Sequence, residues 1–134
     1  VLTARFAGRA IGALETREGQ FAVFNRLPET SQSALLLQAA DEARDPAGGY
    51  ARLLKAWATG DEAALAATLT PLGADTAIRR TLLTDRNRRW ASAIVRRMAR
   101  PGRVFVAVGA GHLVGTDSVV ALLRARGFRV ARIE

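Results

Sequence analysis

The segment Arg103–Ile133 constrains the fold most. Arg103-Val104-Phe105-Val106-Ala107-Val108 is a continuous run of apolar, β-favouring residues that stops at a glycine. Such a run suits a strand buried on both faces, as in a parallel sheet. Gly109-Ala110-Gly111-His112-Leu113-Val114-Gly115 follows as a loop, and Thr116 or Asp117 can cap a helix over Ser118–Arg126. Gly127 ends that helix, and Phe128–Ile133 is a second β-favouring run. The pattern predicts a strand–helix–strand unit with a right-handed crossover. Its loop falls at the strand's carboxyl end, where open α/β sheets place ligands.

Upstream of this unit the chain reads as helical. A short apolar strand over Arg9–Leu14 is expected to lead into Glu15 and a helix carrying Phe21, Phe24 and Leu27 at spacings of three. Pro28 closes it. Thr30–Ala43 is the next helix, with Leu35, Leu36 and Ala39 as its apolar stripe, and Asp45–Gly49 is a turn cluster before a helix over Tyr50–Ala58. Gly60-Asp61 opens Glu62–Leu69, and Pro71–Gly73 breaks the chain again. The longest helical segment is Asp75–Ala99. Leu83, Trp90, Ile94 and Met98 share one arc of its wheel, whereas Arg86, Arg89, Arg96, Arg97 and Arg100 lie opposite as a solvated face. Asn87 sits within the apolar arc. Buried there, its amide must find partners or cost about 1–3 kcal/mol.

The fold class expected is therefore α/β and predominantly helical, with a few strands, a C-terminal βαβ unit in a mostly parallel sheet and a helical insertion in the middle. At 134 residues and 49% hydrophobic, one domain is the natural size. Zero cysteines exclude a disulfide framework and thiol chemistry. No apolar run reaches the roughly 18–20 residues that span a bilayer. Residues 1–78 hold seven basic side chains against nine acidic, whereas residues 79–134 hold thirteen arginines against three acids. No aromatic residues interleave with those arginines as single-strand binders require, so nucleic acid is not the expected partner.

The glycine-rich loop does not match a dinucleotide fingerprint, because Val114 stands where its third glycine belongs. The better candidate is His112, the one histidine of the sequence, three residues beyond an apolar run and flanked by glycines. Glu15 directly follows the other predicted strand. In one parallel sheet the two would emerge at the same edge, where a carboxylate and an imidazole can bind a divalent metal or divide acid and base duties.

Three stretches occur here in one order. They are Gly12-Ala13-Leu14-Glu15-Thr16 with Gln20, then Leu83-Thr84-Asp85-Arg86-Asn87-Arg88-Arg89-Trp90, then Val106–Gly115 running on to Gly127-Phe128. Together they resemble the C-terminal part of the TraB/GumN family over nearly the whole chain. The family is similar to the Tiki metal-dependent peptidases and to erythromycin-esterase-like and ChaN-like α/β folds. The resemblance implies a hydrolase of peptidase type and a bacterial periplasmic or secreted setting. It makes His112 the histidine of a G-x-x-H motif begun by Gly109, and Glu15 the motif glutamate. Both are implied as metal ligands and catalytic groups, Arg86 and Asn87 as further catalytic candidates, and Gly109, Gly111 and Gln20 as binding positions. A divalent cation (Mn, Co or Zn) and a peptide or small-molecule substrate are implied as cofactor and partner. Family members carry another G-x-x-H upstream, which this sequence lacks. Two ligands fall short of the three usual in a catalytic zinc site, so the chain is expected to be part of a longer domain, with metal binding weak or absent. An unpaired sheet edge would invite homo-oligomerisation.

Overall fold

The computed structural model describes residues 10–68 and 75–133. Among the described residues there are seven α-helices: α1 (Arg17–Asn25), α2 (Glu29–Glu42), α3 (Pro46–Ala58), α4 (Glu62–Thr68), α5 (Thr76–Arg79), α6 (Asp85–Met98) and α7 (Val119–Arg124). A five-residue π-helical turn, Arg80–Thr84, joins α5 to α6 without a break, and a 3₁₀ turn covers Ala110–His112.

Short polar side chains start these helices by occupying backbone N–H groups that have no partner within the helix. Thr16 accepts from the Gly19 amide at 3.0 Å, and Asp45 accepts from that of Gly48 at 3.0 Å. Asp45 thereby turns the expected Asp45–Gly49 loop into the first turn of α3. Asp75 accepts from Ala77 and Ile78, at 2.8 and 3.2 Å, and opens α5. Its other oxygen takes the hydroxyl of buried Ser31 at 2.6 Å, which pins α2 to α5. Ser31 first, then the backbone amides, hold the Asp75 carboxyl below its ordinary range. The last helix is capped by Ser118, accepting from Ala121 at 3.1 Å, rather than by Thr116 or Asp117. Gly127 stands just beyond it with φ +84°, the left-handed conformation that favours glycine.

Two apolar clusters hold the described residues together. Ala56, Leu65 and Val114 join α3, α4 and the loop after the 3₁₀ turn. Trp90, Ile94 and Val119 join α6 to α7, with Leu14, Val108 and Leu123 packed around them. Burying each large side chain of this kind is worth about 1.5–3 kcal/mol.

Among the described residues the expected parallel sheet and βαβ unit are not formed, and the architecture is helical. Among the described residues there is no strand in 10–14, in Arg103–Val108 or in 128–133. Neither apolar run has a backbone ladder, and Phe105 and Ile133 are 81% and 93% exposed. The physical reason is pairing: a β-favouring segment becomes a strand only when a neighbouring backbone takes its N–H and C=O groups and another layer covers it. Here α6 and α7 pack on each other through Trp90, Ile94 and Val119, and the apolar runs are left beside that contact, with Val108 alone of the first run joining it. An oligomer formed through a sheet edge loses its basis with the sheet.

The helical stripes are corrected in part. Leu36 is 72% exposed and Met98 51%, so neither joins the core. Arg9, Leu69 and the Pro71–Gly73 break lie outside the described residues. No helix among the described residues is long and apolar enough to cross a membrane.

Candidate functional site

The π turn sets up the site. The Asp85 amide reaches back five residues to the Arg80 carbonyl, so the helix carries one extra residue per turn there. Arg79 faces the loop before α7 and meets Asp117 at 2.6 Å, while Thr84 donates to the other oxygen of Asp117 at 2.5 Å. Burial pushes the Asp117 carboxyl up, but Thr84 and Arg79 together outweigh it and leave the group below its usual range. Asp117 is thus a charged clamp between the π turn and the loop.

One turn further on, Asn87 is 1% exposed. Its Nδ2 donates to the Asp117 backbone carbonyl at 2.9 Å, and its Oδ1 faces His112 Nδ1 at 2.6 Å. The chemistry of these atoms orders the protons. A carbonyl can only accept, so the Asn87 amide must turn its NH₂ to Asp117 and its oxygen to the imidazole. His112 Nδ1 then carries the hydrogen, and Nε2 is left with a lone pair.

His112 is buried at 9% exposure, and its ring packs on that of Trp90 with centroids 4.4 Å apart and planes at 50°. On Trp90 sits the Arg86 guanidinium, 4.8 Å from the ring centroid, a cation–π arrangement. Arg86 in turn is forked onto Glu15: Nη2 donates to Oε1, Nε donates to Oε2 at 3.2 Å, and Nη1 donates to the Leu82 carbonyl at 3.1 Å. Burial, followed by the Arg86 charge, depresses the His112 pKa to about 4 against a smaller opposing pull from Glu15. The imidazole is therefore neutral at pH 7. Trp90 Nε1 is the buried side-chain nitrogen without a hydrogen-bond partner among the described residues.

Four of the residues singled out in the sequence, Glu15, Arg86, Asn87 and His112, thus come together in one network, although the sheet edge expected to unite them is absent. Arg86 belongs to this interior network and not to the solvated face assigned from its helical wheel. Gly109 opens the turn that carries His112 and accepts from the His112 amide at 2.9 Å, and Gly111 lies within it. Gln20 is exposed on α1 and stands apart from the network. Trp90, read from periodicity as a core residue, is buried as expected. The sequence reading did not connect it or Asp117 to this network, although its spacing of three or four from Arg86 and Asn87 puts all three side chains on adjoining rows of one helix.

Among the described residues, no group of three or more His, Asp or Glu side chains converges as a metal site.

A neutral histidine set by an asparagine, beside a forked arginine–glutamate pair, defines a polar site built onto a helical scaffold. The chain belongs to the TraB/PrgY/gumN family, whose model matches residues 2–132. No curated protein and no solved structure shows significant similarity to it.

Proposed function

We propose that the chain provides the ligand-holding part of a hydrolase site of peptidase type, with His112 as the residue that meets the substrate. The observation that carries this reading is the Asp117–Asn87–His112 relay, which fixes the tautomer and leaves Nε2 as an acceptor. An acceptor of that kind suits the N–H of a peptide, and the glycines at 109 and 111 carry no side chain to obstruct a ligand backbone. Arg86 and Glu15 act as positioning residues: the ion pair holds the guanidinium against Trp90, and Trp90 holds the imidazole. With a pKa near 4 the ring is a weak base at neutral pH, so binding and orientation are its larger contribution.

The divalent metal that the resemblance implies does not fit these residues by themselves. Both Glu15 oxygens are engaged by Arg86, and His112 is the one histidine of the sequence. Three protein ligands are usual in a catalytic zinc site.

A second reading, a non-catalytic ligand- or peptide-binding module, is favoured by the same depressed pKa, because a ring of such low basicity takes up a proton reluctantly at pH 7 and so has little to pass on to a leaving group. One experiment separates the two. Turnover and binding of a mixed peptide library are measured with the chain and with His112→Ala, each with and without manganese, cobalt or zinc. Turnover lost in His112→Ala supports the hydrolase. Turnover retained in that variant removes it, and binding without turnover selects the module.

A further inference from the structure

On the side of the π turn facing α1 lies a cavity of about 320 Å³, lined by Val23, Arg26, Arg80, Thr81, Asp85 and Arg89. The arginines directed elsewhere from this region are paired: Arg79 with Asp117, Arg86 with Glu15. Arg26, Arg80 and Arg89 have no ion-pair partner among the described residues, yet they meet at one concavity. The single carboxylate of the lining, Asp85, is 3.7 Å from Arg88, a residue that does not line the cavity. Three exposed arginines and Thr81 against one carboxylate give the lining residues an excess of positive charge and of hydrogen-bond donors.

We propose that this cavity is a binding site for a phosphate dianion, either free or as the head of a small phosphomonoester. Guanidinium forks match phosphate oxygens two at a time, and three arginines around one concavity supply more such donors than one carboxylate ligand can use. The volume accepts a phosphoryl group with a modest organic remainder. No aromatic side chain lines the cavity, which removes the stacking surface a single-stranded nucleic acid would need. The site shares no lining residue with the His112 network and does not depend on the hydrolase reading. The π turn is what separates the two: Arg79 and Arg80, adjacent in sequence, serve the Asp117 clamp and the cavity respectively.

The test is calorimetric titration of the chain with inorganic phosphate and, separately, with glycerol 3-phosphate. Saturable one-to-one binding of either is expected, and the tighter of the two probes tells a free phosphate from an ester head. Arg80→Ala/Arg89→Ala should weaken it at least about tenfold, the loss expected when charge-assisted hydrogen bonds are removed. Arg103→Ala/Arg126→Ala removes the same charge from exposed positions outside the cavity lining and should leave it within about twofold, since exposed charges at a distance are screened by salt. Asp85→Asn removes the repulsive carboxylate and should tighten binding, a gain that a damaged fold cannot mimic. Absence of saturable binding by both probes overturns the proposal. So does equal weakening by the two double variants, or unchanged affinity in Asp85→Asn.

Discussion

Trp90 and Phe105 are both large aromatic residues in apolar stretches, yet one is 5% exposed and the other 81%. Trp90 lies on α6, whose hydrogen bonds are made within the helix, so its apolar face needs only one packing partner and finds it in Val119 of α7. Phe105 lies in a run that needs a neighbouring backbone before it becomes a regular element at all. The difference shows that apolarity decides what benefits from burial, while the source of the backbone hydrogen bonds decides what achieves it.

The contrast is most sharply broken at Asn87. Asn87→Ala removes the amide that serves both the Asp117 carbonyl and His112 Nδ1, and leaves two buried polar groups without partners. A loss of about 2–5 kcal/mol in unfolding free energy is expected, measured by denaturant titration. If the loss stays under about 1 kcal/mol, the relay is not what holds α6 to the loop.

The next effect is on pH. His112 has a folded pKa of about 4 against an ordinary value of 6.5, so below pH 6.5 the unfolded chain takes up a proton that the folded chain refuses. Stability contributed by this group is fully present above pH 6.5 and falls as the pH drops towards 4, by roughly 2–3 kcal/mol in all. Asp117, depressed in its own range, adds a further loss at lower pH still. Denaturation midpoints between pH 7 and 4 in the chain and in His112→Gln isolate the histidine part; equal slopes would show that the ring titrates normally.

Arg86→Met should cost about 2 kcal/mol, because Glu15 would keep a largely covered carboxylate without its cation. The same change should raise the His112 pKa, since the repulsive guanidinium goes and Glu15 remains. Nuclear magnetic resonance of the single imidazole reads that shift directly. The smallest effect belongs to the other region: Phe105→Ser should change stability by less than about 0.5 kcal/mol, as expected of an exposed side chain.

What was legible in the sequence follows the same division. The positions of α1, α2, α4 and α6 could be read because capping residues and helical spacing are local. Asp45 was misread because a Pro-Ala-Gly-Gly stretch looks like a turn until the aspartate is seen to cap it. The sheet was misread because strand formation depends on a partner that the run Arg103–Val108 cannot name. Glu15, Asn87 and His112 were legible from the loop, the apolar arc and the family motifs. The link from Glu15 to the other two was not, because it passes through Arg86 and Trp90, and spacing alone had turned Arg86 to solvent, while Trp90, read as core, is core and in ring contact with His112 as well. The Arg26–Arg80–Arg89 cavity was hidden in a general excess of arginine, since sequence cannot tell an arginine with an acid beside it from one without.

The placement of Trp90 between a fixed guanidinium and the single imidazole has an optical consequence. An imidazolium in ring contact with an indole quenches its emission, while the neutral ring does so far less. Trp57, 62% exposed, emits as a solvated indole, so the shorter-wavelength part of the spectrum belongs to Trp90. The chain therefore carries its own dye for the protonation of His112, readable without a label.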